Sequence, residues 1–200
     1  MGSLRRSREG QAERHDAEVE AAGGAADRGG GVTKRAVTFA TRPERVEQLM
    51  SRSVATCRPE DRLDQAARIM WDRDCGIVPV TVPDQDGERV VGVITDRDVC
   101  MAAYTKGRLL ADVAVATAMS SSVRTCSPDD AIGSALAIMA TAQVHRLPVV
   151  DGTGHLVGLL SLADVAREEA HSHKVVTSDV LAKTIEAIST PRPHDLVVAS

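Results

Sequence analysis

Residues 50–81 read MSRSVATCRPEDRLDQAARIMWDRDCGIVPVT, and residues 119–150 read MSSSVRTCSPDDAIGSALAIMATAQVHRLPVV. At this fixed offset of 69 positions, 13 of the 32 aligned residues are identical. The first copy then carries three extra residues around PDQDGE (83–88), and the match resumes with Gly92 against Gly158. Such a repeat indicates one supersecondary unit that occurs twice. Two copies are too few for a solenoid, so we expect a pair of modules related by a pseudo-two-fold axis.

Each copy predicts the same order of elements, β-α-β-β-α. A brief β segment at Val54–Thr56 or Val123–Thr125 comes first, and a helix follows. The helix has apolar residues at positions i, i+3, i+4 and i+7, which form one stripe along its surface. These residues are Leu63, Ala66, Ala67 and Met70 in the first copy and Ile132, Ala135, Leu136 and Met139 in the second.

Two apolar runs with a turn between them come next in each copy. The turn sequences DQDG (84–87) and DGTG (151–154) predict a β-hairpin in each copy. Second helices are expected near 96–105 and 162–170. A sheet with helices on one face leaves its other face for the twin module. The predicted fold class is therefore α/β (α+β), with two β-α-β-β-α repeats packed sheet to sheet.

The repeat divides the chain into four predicted parts. Residues 43–110 and 111–172 contain the two copies. Residues 1–42 include GGAADRGGG (23–31) and few large apolar side chains, so we expect a disordered arm there. Residues 173–200 are expected to form a C-terminal helix and a tail.

The composition argues against several classes of protein. The 200 residues include 24 Lys+Arg and 28 Asp+Glu, a net charge of −4, which is unlike a protein that grips nucleic acid through a basic surface. The aromatic residues are Phe39, Trp71 and Tyr104, too few for a platform on which bases stack. No apolar run is long enough to span a membrane, and no secretory signal is recognisable, so the predicted location is the cytoplasm.

The junction between the second hairpin strand and the second helix is the candidate ligand site. It reads GVITDRD (92–98) in one copy and GLLSLAD (158–164) in the other, the pattern G-h-h-[S/T]-x-x-D. A helix N-terminus attracts anions such as phosphate, a hydroxyl can donate to a phosphate oxygen, and a carboxylate can accept from ribose hydroxyls. The same pattern also fits a capping box, which needs no ligand. Both interpretations stay open at this point.

The chain resembles a pair of CBS domains, also called a Bateman module, over about residues 45–170. The resemblance rests on QLMS and TAMS, on HRLPVVD (145–151), on GVITDRD and on the tandem order of the elements. It implies two modules packed sheet to sheet with two related clefts between them. In this family the clefts often bind adenosine-containing ligands: AMP, ADP or ATP, sometimes S-adenosylmethionine or NAD. It further implies a homodimer, a flat disc made of two pairs.

The resemblance assigns roles to residues of both copies. Asp98 and Asp164 would hold ribose hydroxyls, and Thr95 and Ser161 would lie near the ribose or phosphate. His145 and Arg146 match a position that can reach phosphate, and Arg97 is a cation present only in the first copy. The base would be bordered by aliphatic and small residues, namely Val54, Thr56, Val123, Thr125, Ile77, Val78, Pro79, Leu147 and Pro148.

The predicted function is a regulatory sensor that binds an adenosine-type ligand and signals through an unidentified protein partner or through self-association. No cofactor is required by this prediction, and no interaction with nucleic acid or membrane is expected. No catalytic motif is recognisable, so we expect no enzymatic activity. One alternative is a ligand-free scaffold for dimerisation. Another is a metal or thiol sensor that uses Cys57 and Cys126, or the pair His171 and His173; no metal site is assigned.

Overall fold

The computed structural model describes residues 45–172 and 176–191. The first module contains α1 (Leu63–Asp72), β1 (Ile77–Asp84), β2 (Gly87–Thr95) and α2 (Asp96–Lys106). The second contains α3 (Ile132–Ala142), β3 (Arg146–Val150), β4 (Leu156–Ser161) and α4 (Leu162–Ser172), and α5 (Ser178–Ser189) follows it. The predicted arm at 1–42, the end of the predicted tail and His173 lie outside the described residues. No described helix has the length and apolarity needed to cross a bilayer.

The two hairpins confirm the predicted α+β class. Strands β1 and β2 pair antiparallel with Ile77 opposite Thr95, and β3 and β4 pair with Arg146 opposite Ser161. Each hairpin has a bulge in its second strand: Val91 is the extra residue opposite Val80 and Thr81, and Val157 is the extra residue opposite Val149 and Val150. Each forms a small two-stranded sheet with its own aliphatic core.

The predicted first β segment is extended but is not a regular strand. It pairs only where it ends, through the parallel bridges of Cys57 with Val80 and of Cys126 with Val149. The Cys57 N–H donates to the Pro79 carbonyl at 3.1 Å, and the Cys126 N–H donates to the Pro148 carbonyl at 3.1 Å. The pairing is short because the chain just before each segment pairs with the sheet of the opposite module.

Residues 45–51 and 114–120, which run into the first residues of each copy, are held by the opposite module. We call them the leading segments. In the first, the Val46 N–H donates to the Asp130 carbonyl at 2.9 Å. In the second, the Val115 N–H donates to the Asp61 carbonyl at 2.8 Å. Each segment opens with a short 3₁₀ turn, Val46–Gln48 or Val115–Thr117. The chain thus exchanges equivalent segments between its halves.

Backbone pairing continues this exchange onto the sheets. Ser51 exchanges two hydrogen bonds with Leu159, both 2.9 Å long, and Ser120 exchanges two with Val93, of 2.9 and 3.0 Å. Leu159 lies in β4 of the second module and Val93 in β2 of the first. The segments at 51–57 and 120–126 therefore leave one sheet and join the other, so they can pair with each sheet only at one end.

Apolar side chains of the leading segments complete the two cores. Val46 and Met50 are buried in the core of the second module, and Val115 is fully buried in that of the first, with Met119 packed against it. Burying such side chains stabilises each module by about 1.5–3 kcal/mol per residue. Neither core is complete without residues that belong, in sequence, to the other repeat.

Glycine is required where each methionine meets the opposite sheet. A Cβ atom added to Gly158 would lie 2.5 Å from Met50 Sδ and 3.1 Å from the Ser51 carbonyl oxygen. At the equivalent Gly92 it would lie 2.7 Å from Met119 Sδ and 3.1 Å from the Ser120 carbonyl oxygen. The glycine that begins each G-h-h-[S/T]-x-x-D pattern is thus explained by packing of the exchanged segment.

The hairpins meet at the pseudo-two-fold axis. Arg89 and His155, which are equivalent positions of the two copies, form an antiparallel bridge there. The Arg89 guanidinium donates to the Thr153 carbonyl at 2.5 Å and to Asp84 Oδ2 at 2.9 Å. The buried His155 ring lies 3.3 Å from Asp84 Oδ2 through Nε2 and 2.7 Å from Thr153 Oγ1 through Nδ1.

The two carboxylates of this contact have lowered pKa values. The Gln85 N–H, Arg89 and His155 hold the pKa of Asp84 at about 2. The Thr153 hydroxyl and the His155 N–H hold that of Asp151 at about 2. A carboxyl whose pKa is lower in the folded state stabilises the fold above its unfolded pKa, and the contribution disappears as the pH falls through the folded pKa.

Replacing Gly158 by Ala tests the exchange of leading segments. The added methyl group must displace Met50 or the Ser51 backbone, so we expect the free energy of unfolding to fall by about 1–3 kcal/mol. Chemical denaturation measures the change. Gly133→Ala, at an exposed position of α3 with no atom within 4 Å of the added carbon, is the matched control and should stabilise by at most about 1 kcal/mol. A Gly158→Ala protein as stable as the wild type would contradict the described packing.

Acid denaturation tests the contact at the axis. Between pH values of about 4 and about 2, the wild type should lose stability as Asp84 and Asp151 become protonated. Asp151→Asn should lower stability at neutral pH and flatten the loss in that window. Asp86→Asn, exposed in the turn between β1 and β2, is the control and should leave the profile unchanged. The test is unfolding monitored by circular dichroism across the pH series; equal slopes for all three proteins would refute the assignment.

Candidate functional site

Both strand-to-helix junctions form complete capping boxes. Thr95 Oγ1 donates to Asp98 Oδ2 at 2.7 Å, the Thr95 N–H donates to the same oxygen at 2.9 Å, and the Asp98 N–H donates back to Thr95 Oγ1 at 3.2 Å. In the second module the corresponding distances between Ser161 and Asp164 are 2.6, 3.0 and 3.1 Å. The expected alternative, helix capping, is therefore present in both copies.

The second oxygen of each capping carboxylate distinguishes the two copies. Asp164 Oδ1 accepts a hydrogen bond from the Arg167 guanidinium. Among the described residues, none donates to Asp98 Oδ1. Capping uses one carboxylate oxygen in each copy. Among the described residues, the second oxygen is therefore unpartnered in the first copy and paired with Arg167 in the second.

A cleft of about 950 Å³ lies beside Asp98. Its walls come from the start of β1, the end of β2 with the start of α2, residues 120–124, the end of α3 and the start of β3. A wall from α5 adds Ile188, Thr190 and Pro191. The volume is in the range of pockets that bind small molecules.

This cleft brings together eight of the predicted site residues from both copies. They are Ile77, Thr95, Arg97, Asp98, Val123, His145, Arg146 and Pro148. Ser161 and Asp164 lie at the equivalent junction of the second module, outside this cleft. Val54, Thr56 and Thr125 also do not line it.

Three predicted base-bordering residues are buried and do not line this cleft. The side chains of Val78 and Leu147 lie in the two hydrophobic cores with no exposed surface. Pro79 is likewise buried and lines no part of the cleft. Val78 and Leu147 face the helices, and the period-2 alternation of a strand turns their neighbours Ile77 and Arg146 to the other face. The assignment of Val78, Pro79 and Leu147 to ligand contact stays a prediction that the lining of this cleft does not support.

Basic residues line the cleft unevenly between the copies. Arg97 enters from α2, Arg146 from β3, and Arg124 from the segment before Cys126. None of the three forms an ion pair within the described part of the chain. The carboxylates Asp96 and Asp98 share the same cleft.

Arg124 and the α5 wall were not found by sequence reasoning. Arg124 lies between the predicted residues Val123 and Thr125, and its counterpart in the first copy is Ala55. This difference in charge between the copies could have identified Arg124 as a candidate site residue. Ile188, Thr190 and Pro191 lie outside the repeat, so comparison of the copies carries no information about them.

A family model shows what this pair of modules is. The model of the CBS domain matches residues 46–104 and 111–171, together more than half of the chain. The chain belongs to the CBS domain family. The boundaries 43–110 and 111–172 stay a prediction, because the exchanged leading segments make each CBS domain discontinuous in sequence.

Relatives and solved structures are consistent with the family. An inosine-5'-monophosphate dehydrogenase of Korarchaeum cryptofilum is 35% identical over 135 residues, which cover 68% of this chain and 26% of the relative. The CBS domain-containing protein YhcV of Bacillus subtilis is 32% identical over 121 residues, covering 60% of this chain and 82% of the relative. This chain thus spans about a quarter of the dehydrogenase.

A solved CBS domain pair in complex with 5'-methylthioadenosine and S-adenosyl-L-methionine has the same fold. It superposes with a TM-score of 0.56 at 22% identity, over 64% of this chain and 96% of that one. At 22% sequence identity, this similarity shows a shared fold and nothing about the ligand of this chain.

The two thiols of the alternative sensor hypothesis are buried in separate cores. Cys57 lies in the core of the first CBS domain and Cys126 in that of the second. Burial raises the pKa of each thiol to about 12, and Asp61 and Asp130 add to the shift. Thiolates are the reactive form, so both side chains are inert at neutral pH. Within the described residues, no group of three or more His, Cys, Asp or Glu is placed to hold a metal ion.

Thiol labelling of the native protein tests this arrangement. At pH 8 we expect Cys100, which is exposed on α2, to react with a disulfide reagent, while Cys57 and Cys126 react only after unfolding in denaturant. Mass spectrometry of the labelled peptides identifies each site. Cys100→Ser should remove the fast phase. Rapid labelling of Cys57 or Cys126 in the folded protein would show that the cores are accessible.

Proposed function

We propose that this CBS pair binds a phosphorylated adenosine ligand in the cleft beside Asp98, and that ligand occupancy regulates a partner or self-association. A CBS pair is a regulatory module. What we propose is the chemical class of its ligand and the place where that ligand binds. One observation supports the proposal: a single cleft contains Asp98, whose second oxygen accepts no hydrogen bond from the described residues, and three guanidinium groups that form no ion pair with them.

Each wall of the cleft would meet a different part of such a ligand. Asp98 Oδ1 would accept hydrogen bonds from the ribose hydroxyls, while its Oδ2 stays in the capping box with Thr95. Guanidinium groups bind phosphate through several N–H donors, which suits Arg97, Arg124 and Arg146. Aliphatic surface from Ile77 and Val123 would flank the base, consistent with the scarcity of aromatic residues.

Charge favours a phosphate-bearing ligand over a sulfonium such as S-adenosylmethionine. Three guanidinium groups outnumber the two carboxylates Asp96 and Asp98 in this cleft. The excess positive charge repels a cation and attracts a phosphate, and the effect is largest where the site is shielded from water. The solved pair that contains S-adenosyl-L-methionine is 22% identical to this chain, so its likeness carries the fold and not the choice of ligand.

A partner or a second copy of the chain would detect ligand binding at the surface of the protein. We propose no catalytic role for this chain. Trp71 on α1 and Met101 and Tyr104 on α2 are exposed apolar side chains of the first CBS domain, with Trp71 87% and Tyr104 82% exposed. Large exposed apolar side chains grouped on one domain favour an interaction surface. This supports the expected self-association, which a homodimer would satisfy.

A ligand-free scaffold is the competing function. The complete capping boxes favour it, because Thr95, Asp98, Ser161 and Asp164 already satisfy one another. The two functions differ in one respect: only the ligand-binding module needs the second oxygen of Asp98.

Substitution of the two aspartates by asparagine separates these functions. We expect AMP, ADP or ATP to raise the melting temperature of the wild type and to give a binding heat in calorimetry. Asp98→Asn keeps an oxygen for the cap but replaces the unused acceptor with a donor, so affinity should fall roughly 10- to 100-fold. Asp164→Asn, which changes the equivalent cap at the other junction, is the matched control and should retain binding.

The opposite pattern places the site elsewhere. Binding that is lost in Asp164→Asn and kept in Asp98→Asn would assign the ligand to the second junction. No binding of any of the three nucleotides to the wild type would leave the scaffold function.

A further inference from the structure

The C-terminal helix α5 lies outside both family matches but is part of the second CBS domain. It packs along α3, and its Thr184 and Ile188 are buried, with 5% and 7% of their surfaces exposed. Ile188 belongs to the same core as Leu136 and Met139 of α3. The helix is therefore docked by apolar burial and is not a loose appendage.

Gln143 fastens the end of α5. It follows the last residue of α3 in a left-handed conformation, with φ of 53°. Its Nε2 donates to the Ala187 carbonyl at 3.1 Å and to the Thr190 carbonyl at 2.7 Å. The last carbonyls of a helix have no partner within the helix, so this amide satisfies groups that would otherwise need water.

The fastened end is also a wall of the ligand cleft. Ile188, Thr190 and Pro191 line the cleft together with Gln143, and Asp98 and Arg97 line it from the first CBS domain. Ile188 thus belongs to a domain core and to the cleft at the same time. A molecule that fills the cleft would touch the first domain, the second domain and α5.

We infer that the docked end of α5 is a ligand-contacting wall of the cleft, so that ligand binding and α5 docking stabilise each other. This rests on the proposed function. A ligand that contacts Ile188 and Thr190 only when α5 is docked binds that state more tightly and increases its population. The coupling is reciprocal, so undocking the end of α5 must lower the affinity for the ligand by the same factor.

The inference predicts where the protein stiffens when a nucleotide binds. In hydrogen exchange on the full chain with AMP, ADP or ATP added, the amides of the last turn of α5 should exchange several-fold more slowly than without nucleotide. Helix α4 supplies no residue to the cleft and is the internal control, with unchanged exchange.

Gln143→Ala tests the reciprocal direction. It removes both hydrogen bonds to α5, so the end of α5 should exchange faster without nucleotide, and nucleotide affinity should fall by about tenfold. Gln65→Ala is the matched control: Gln65 accepts one hydrogen bond from the Arg62 N–H at the start of α1, away from the cleft, so its loss should leave affinity unchanged.

The outcomes separate this inference from the proposed function. Nucleotide binding to the wild type with unchanged exchange in α5 would overturn the inference and leave the proposed function standing. Affinity that is equal in Gln143→Ala and the wild type would also overturn it. If calorimetry detects no binding of AMP, ADP or ATP, the proposed function fails and the inference fails with it.

Discussion

The reciprocal exchange of the leading segments is the constraint on which the rest of the structure depends. Val46 and Met50 complete the core of the second CBS domain, and Val115 and Met119 that of the first. The same segments add backbone hydrogen bonds to the opposite sheets at Leu159 and Val93. Burial and pairing therefore fix the two domains relative to each other before any side chain at the cleft is considered.

The cleft follows from this exchange. The second leading segment ends at Ser120, which pairs with β2, and the chain next pairs with β3 through Cys126. The residues between Ser120 and Cys126 must therefore cross from one sheet to the other. Val123 and Arg124 lie on that crossing and line the cleft. Asp98 is fixed at the other side by its capping box with Thr95. The contacts that fold the protein therefore also form the cleft. The Asp98 carboxylate caps α2 whether or not a ligand is present.

Much of the fold could be predicted from sequence because the repeat reports it twice. The apolar stripes of α1 and α3, the hairpin turns and the S/T-x-x-D junctions are local patterns, and each appears in both copies. The exchange could not be predicted, because Val46 and Val115 have the same sequence neighbours whichever domain receives them. Which capping carboxylate keeps an unpartnered oxygen among the described residues could not be predicted either, since it depends on the pairing of Arg167 with Asp164. Burial of Val78 and Leu147 required knowledge of which strand face meets the helices.

The exchange has a consequence for a single repeat on its own. A fragment that ended before Val115 would lack the residues that seal its own core, and its unpaired β2 backbone would be open to another chain. Such a fragment could recover the missing contacts only by associating with a second molecule, at a rate and extent set by its concentration. Joining both halves in one polypeptide replaces that bimolecular step with an intramolecular one, governed by an effective concentration that dilution does not change.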